Sequence, residues 1–261
     1  MKILSGAYRA CIEQQHHLRI DRLDSEAPTA NLADQLAAII RHSRIDGFVV
    51  TPPLSDNPLV LDFLDARGVR YSRIAPSFDP TRSPAVMMDD AAAAADVASM
   101  LWAKGHRSFG VVTGPDNHGA AILRREGFLA RLRELDPASS VSEAFGGFSF
   151  EGGIAAGREL LAARHQPTAI FATNDDSATG VMVACVEYGL KVPDDVSVCG
   201  FDDSWIAMTV WPYLTTICQP IEAMAHAAAM MLIERRGSND ALPQHQLAYR
   251  LIERGSVAPV K

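Results

Sequence analysis

The sequence predicts an α/β fold: two lobes of one architecture, each a parallel sheet with helices on both faces, with a cleft between the lobes. Three observations predict it. Strand-like apolar runs alternate with helix-like runs along the whole chain, the pattern that builds parallel sheets. About four strand candidates precede Asp90 and about four or five follow it. Two polar clusters, Asn174-Asp175-Asp176 and Gly200-Phe201-Asp202-Asp203, come directly after apolar runs, in the position beyond strand ends where open α/β sheets bind ligands.

Taken in order, residues 5–15 read as a helix and 17–21 as a strand. Leu32, Leu36, Ile39 and Ile40 recur at helical spacing within 31–43. A buried strand over 47–51 stops at Pro52-Pro53, and a helix over 58–67 closes at Gly68. Strands over 70–75 and 85–88 follow. The run 91–104 has an alanine-rich interior, Asp89-Asp90 at its start and Gly105 at its end, all signals of a strong helix. Beyond it the pattern gives strand 109–113, loop 114–119, helix 120–135, strand 142–145, helix 152–163 and strand 169–173. Helix 177–188 closes at Gly189, strand 196–199 follows, and a last helix spans 221–235 and ends at Gly237. The tail 246–254 alternates loosely, as a strand would.

The 261 residues suffice for two lobes, and 48% hydrophobic content supports a core rather than disorder. A net charge of −7 argues against gripping nucleic acid directly, because phosphate binding needs clustered Lys and Arg. No apolar run is long enough for a membrane span, and no basic-then-apolar start marks a secretory signal. Cys11, Cys185, Cys199 and Cys218 are scattered without CxxC spacing and read as reduced thiols of a cytoplasmic protein. The histidines show no metal-ligand spacing: His16-His17 are adjacent, and His106 reads as a structural partner at a helix end. GxSxG, Walker A and GxGxxG sequences are absent, so neither an enzyme nor a cofactor has motif support.

Ordered motifs along almost the full length then give a resemblance. They include Ser5-Gly6-Ala7, Asp46-Gly47-Phe48-Val49-Val50, Lys104-Gly105-His106-Arg107 and Arg124-Arg125-Glu126-Gly127-Phe128. They continue through Pro167-Thr168-Ala169-Ile170-Phe171-Ala172-Thr173-Asn174-Asp175-Asp176, Gly189-Leu190-Lys191-Val192-Pro193, Gly200-Phe201-Asp202-Asp203, Pro212-Tyr213-Leu214-Thr215-Thr216 and Leu251-Ile252-Glu253-Arg254-Gly255-Ser256. The chain resembles the effector-binding domain of the LacI/GalR family of bacterial transcription regulators. That resemblance implies a periplasmic-binding-protein-like pair of Rossmann-like lobes with three crossings, near 88–90, 217–219 and 243–246. The first lobe would hold 1–88 and 219–243, the second 89–218 and 244–261. It also implies a small-molecule effector, a sugar, and a homodimer, with operator DNA reached through a helix-turn-helix that has no counterpart here. The family's first strand likewise has no counterpart before Ser5-Gly6-Ala7, so the first-lobe sheet is expected to show a gap or an unusual neighbour at its centre.

The resemblance nominates Arg124, Asn174, Asp202 and Phe148 as effector-binding residues. Each has a plainer alternative. Arg124 stands near Arg125, Arg131 and Arg133 and could be one solvated arginine among several. Asn174 could be a helix N-cap, Asp202 a turn residue and Phe148 ordinary core. Asp176 and Asp203 are assigned to capping or hinge contacts. Trp205 and Trp211 are candidates for the rim, and Pro52-Pro53 and residues 77–79 for first-lobe strand ends. Two other readings stand beside it: a solute-binding protein of a sugar transporter, with the same fold, and an enzyme on a doubly wound fold.

Overall fold

The structure, a computed structural model, describes residues 2–23, 29–42, 45–234 and 242–260. Its elements are α1 (Lys2–Glu13), α2 (Thr29–His42), β1 (Phe48–Val50), α3 (Pro58–Ala66), β2 (Tyr71–Ile74), β3 (Ala85–Met87), α4 (Asp90–Ala103), β4 (Ser108–Thr113) and α5 (Gly119–Leu135). They continue with β5 (Ser140–Phe145), α6 (Phe150–Leu161), β6 (Ala169–Ala172), α7 (Asp175–Glu187), β7 (Ser197–Cys199), β8 (Thr216–Cys218), α8 (Ile221–Glu234), β9 (Gln244–Gln246) and β10 (Arg250–Ile252). The expected end of the last helix, at Arg235 and Gly237, lies outside the described residues, as does residue 43 of the second.

The chain divides into two compact units. Unit 1 comprises Met1–Met88 and Pro220–Leu247, unit 2 Asp89–Gln219 and Ala248–Lys261. The third passage between units falls after Leu247, not within 243–246 as the sequence suggested, and residues 244–247 belong to unit 1 rather than to the second lobe. The cause is β9, which pairs in parallel with β3. The tail is therefore two short strands rather than one, with β10 pairing antiparallel to β8 in unit 2.

In unit 1 the sheet order is β1-β2-β3-β9, all parallel. Helices α1 and α8 pack with β2 and β3 side chains in one apolar cluster around Ala10, Ile74, Val86 and Ala228. Helices α2 and α3 form another around Leu32, Leu36, Leu64 and Val50. Helix α3 starts as its sequence dictates: Asn57 accepts from Leu59 and Val60 N–H groups, Pro58 follows, and Gly68 takes a φ of 61° at the other end. The buried guanidinium of Arg73 donates to Ser83 Oγ and to the carbonyls of Ser55, Phe78 and Asp79. It thereby ties together the loops after β1 and β2, including residues 77–79.

One sequence expectation fails here. Residues 17–21 form no strand and pair with none. A strand exists only through its ladder partner, and β1, the nearest candidate, has β2 as its sole partner among the described residues. Between β1 and the 16–21 segment lies a cavity of about 1030 Å³. Ile3, Ala7 and Cys11 of α1 and Leu232 of α8 line it, as do Leu36 of α2 and Leu64 of α3. The gap expected at the centre of the first-lobe sheet is not there: the four strands β1-β2-β3-β9 are continuous, and the cavity borders β1 instead. Among the described residues β1 is therefore an edge strand.

Unit 2 is built on the order β5-β4-β6-β7, all parallel. Its central strands β4 and β6 read SFGVVT and AIFA, and every residue of β6 is buried, as expected of a parallel sheet covered on both faces. Phe128 of α5 is fully buried, stacked on Phe171 at 4.8 Å and edge-on to Phe109 at 6.1 Å. The β7 edge is covered. Val198 N–H donates to Ser256 O, Gly200 N–H to Thr215 O, and Ser256 Oγ both accepts from Thr215 N–H and donates to Val198 O. His106, as expected, is structural: its ring lies 3.0 Å from both Thr168 Oγ1 and Ala258 O, and burial lowers its pKa. Among the described residues no helix is long and apolar enough to cross a membrane, and no cluster of His, Cys, Asp and Glu forms a metal site.

Candidate functional site

Arg124, Asn174, Asp202 and Phe148 come together at the carboxyl-terminal end of the unit 2 sheet. Arg124 projects from α5 and is 5% exposed, so it is not a solvated member of an arginine row. Arg125 and Arg131, by contrast, pair with Glu143 and Glu134 at the surface. The Arg124 Nε donates to Asp90 Oδ1 at 2.8 Å, and its Nη1 to Thr173 O at 2.8 Å and Asp202 Oδ1 at 3.3 Å. The guanidinium lies 3.8 Å from the ring centre of Phe201 and 5.9 Å from that of Phe148, so aromatic faces flank the cation. Phe148 also meets His118 edge-on at 5.1 Å. A Cβ on Gly114 would lie 2.4 Å from the Phe148 ring, so that position must be glycine for the ring to sit where it does.

The local backbone explains why these groups converge. Strand β6 ends at Ala172, and its extension delivers Thr173 O to Arg124 and Asn174 to the start of α7. Strand β7 ends at Cys199 and turns sharply: Asp202 and Asp203 have φ of 120° and 49°, values that cost on the order of 1–3 kcal/mol each for non-glycine residues. Asp202 is held in this turn by its N–H, which donates to Ile217 O at 2.9 Å, and by Gln219 Nε2, which donates to its Oδ1.

The nominated residues differ in what remains of their bonding capacity. Asn174 caps α7 through Oδ1, which accepts from Ser177 N–H at 3.0 Å, and its Nδ2 donates to Phe148 O at 3.1 Å. The capping alternative therefore holds for its oxygen. Arg124 Nη2 and Asp202 Oδ2 have no hydrogen-bond partner among the described residues. They form an adjacent donor and acceptor on side chains that are otherwise tied down. Burial pushes the Asp202 carboxyl up to about 6, against the opposing pull of Arg124 and Gln219, so it is mostly ionised at neutral pH.

Three partners were not visible in the sequence. The Asp89-Asp90 pair read as a helix start, but only Asp89 caps α4, accepting from Ala92 N–H at 2.8 Å, while Asp90 turns to Arg124. The doublet was the available signal. Phe201 beneath Arg124 and Gln219 beside Asp202 gave none, because an aromatic after a glycine and a glutamine before a proline are ordinary residues. Asp203 pairs with Arg254 at 2.6 Å within unit 2, which is neither the capping nor the hinge contact expected of it. Trp205 and Trp211 are 77% and 82% exposed.

With this geometry, similarity to known proteins becomes informative. A periplasmic binding protein-like domain model matches residues 98–257. The HTH-type transcriptional repressor PurR of Escherichia fergusonii is 38% identical over 159 residues, which cover 59% of this chain and 46% of the repressor. The chain spans about half the length of the curated relatives it matches. The solved LacI family transcriptional regulator from Enterococcus faecium with bound ribose aligns at a TM-score of 0.87 and 25% identity, covering 100% of this chain and 94% of that one. The transcriptional regulator CelR–cellobiose complex aligns at 0.88 and 25%, covering 98% and 78%. The fold and the site define a two-unit ligand-binding domain. The chain belongs to the periplasmic binding protein-like domain family and is, within it, the ligand-binding domain of a LacI-family regulator.

Proposed function

We propose that this domain binds a sugar or sugar derivative on unit 2 and, as part of a transcriptional regulator, uses that binding to control DNA association. The observation that carries the reading is the open pair, Arg124 Nη2 and Asp202 Oδ2. A polyhydroxylated ring satisfies both at once: one hydroxyl donates to the carboxylate, and a hydroxyl oxygen accepts from the guanidinium. The face of Phe148 offers an apolar surface to ring C–H groups. Asn174 works mainly by fixing Phe148 through its carbonyl, with one amide hydrogen left for a ligand. Similar proteins solved with ribose and with cellobiose support a sugar.

The same bonds supply a route for control. Asp90, bonded to Arg124, lies two residues after the first passage between units, and Gln219, bonded to Asp202, is the last residue before the second. A ligand that engages Arg124 and Asp202 bears on both passages, and it shifts the protein between states by as much as its affinities for them differ. DNA contact and dimer formation belong to this reading as properties of the whole regulator. No catalytic role is assigned to any residue of the site. A thermal-shift screen with monosaccharides, disaccharides, nucleosides and sugar phosphates tests the proposal. A sugar should raise the unfolding midpoint and perturb the backbone amides of residues 173–175 and 200–204. A nucleoside that does so while every sugar fails would overturn the ligand class, and perturbation confined to unit 1 would overturn the site.

A further inference from the structure

We infer that Asp175 is the positioning residue that sets the turn carrying Asp202, reaching it from a neighbouring strand end without touching the ligand itself. The inference rests on the reading of Asp202 as a ligand contact. Asp175 is fully buried at the first residue of α7, where Asn174 already does the capping. Its carboxylate is therefore free of the role a helix start would give it. Instead, Oδ2 accepts from Ser204 N–H at 2.7 Å and Oδ1 from Thr216 Oγ1 at 2.6 Å. Those two donors sit on either side of the ligand turn, one just after Asp203 and the other on β8. Thr216 Oγ1 also accepts from Asp203 N–H at 3.4 Å.

The turn needs such a strut. Asp202 and Asp203 both hold positive φ, which L-residues seldom adopt in succession. Several bonds from other segments hold it: Ile217 O for the Asp202 amide, Arg254 for the Asp203 carboxylate, and Asp175 for the Ser204 amide. An acidic side chain suits this place, because two donors converge on it and each of its two oxygens accepts one of them. Gly200 completes the fit. A Cβ there would lie 2.4 Å from Asp175 Oδ1, so the glycine at the head of the turn admits the carboxylate. Burial and the nearby Asp202 charge raise the Asp175 pKa to about 7, as expected of a carboxylate held out of water.

The test is amide hydrogen exchange read residue by residue on the whole chain, without ligand, so that its result is independent of which ligand binds. In Asp175→Ala the Ser204 amide should exchange faster by about tenfold or more, while the β6 amides of Ile170 and Phe171 keep their protection. Asp175→Asn should restore most of the Ser204 protection, since its amide oxygen can accept from that N–H and its NH₂ can turn to Thr216. Thr216→Val gives a second variant should the alanine variant not fold. It should release Asp203 while leaving Ser204 protected. Unchanged exchange at Ser204 in Asp175→Ala would overturn the proposal. So would loss of protection spread evenly over β6 and α7 in both Asp175 variants, which would mean that Asp175 holds the unit together and not the turn.

Discussion

The two units share a plan, a four-stranded parallel sheet between helices, and differ in how the sheet ends. In unit 2 the β7 edge is closed by Thr215 and Ser256, whose backbone and hydroxyl groups complete its hydrogen bonds. In unit 1 the β1 edge faces a cavity of about 1030 Å³. An edge strand leaves alternate N–H and C=O groups unpaired, and side chains around a void lose the contacts that dense packing gives. The difference teaches that one architecture can have its sheet edge hydrogen-bonded in one half and bordered by a cavity in the other. The side chains assigned to the ligand stand on the half with the closed edge, where hydrogen bonds hold a turn with two positive-φ aspartates.

The largest expected effect lies in unit 2. Arg124→Ala would leave Asp90 buried without its partner, at a cost of about 3–5 kcal/mol of stability. A chemical-denaturation midpoint close to that of the unaltered chain would break the view that this arginine is structural as well as ligand-facing. A similar loss, about 3–5 kcal/mol, is expected for Phe128→Ala, because the ring is packed between Phe109 and Phe171. Leu36→Ala in unit 1 should cost only about 2 kcal/mol, since that side chain already borders the cavity. Equal losses for Phe128 and Leu36 would erase the contrast between the units.

The unit 1 cavity gives a sharper test. Adding an apolar strand-forming segment of about six residues ahead of Met1 should fill the space beside β1 and raise stability by on the order of 2 kcal/mol, the surplus of side-chain burial over chain ordering. Protection of the Val49 amide from exchange should rise with it. An unchanged unfolding midpoint would count against the cavity as a strand-sized slot.

A smaller effect should follow from pH. The raised pKa of Asp175, about 7, means that the folded state keeps a proton there which the unfolded chain releases near its ordinary value of about 4. Across that window the folded state binds more protons, so this group's contribution to stability falls as pH rises from about 4 to about 7. Asp202, raised to about 6, acts in the same direction over a narrower span. Asp175→Asn should flatten the decline measured by denaturation midpoints across this range. Parallel curves for the variant and the unaltered chain would contradict the assignment.

Much of this was legible in the chain because the signals are local. Strand β6 announces itself as an apolar run, α4 by its alanines and flanking Asp89 and Gly105, and α3 and α7 by Gly68 and Gly189. What failed was non-local. Residues 17–21 have the composition of a strand but not the neighbour that would make them one, and no property of the segment itself reveals that. Strand β9 was placed in the wrong unit because its partner, β3, lies more than 150 residues earlier in sequence. At the site, residue type and position beyond strands β6 and β7 pointed to Asn174 and Asp202. The division of labour within Asn174-Asp175-Asp176 was not readable, because three adjacent polar residues can each cap a helix and only the fold shows that Asn174 does so while Asp175 turns to Ser204 and Thr216.

The most direct test of the central claim, that Arg124 and Asp202 read the ligand, is calorimetric titration of Asp202→Asn with the best-binding sugar from the screen. Asparagine has nearly the shape of the aspartate it replaces but loses the charge and one acceptor. The account predicts affinity weaker by about 1–3 kcal/mol with the unfolding midpoint nearly unchanged. Binding as tight as that of the unaltered chain would contradict it.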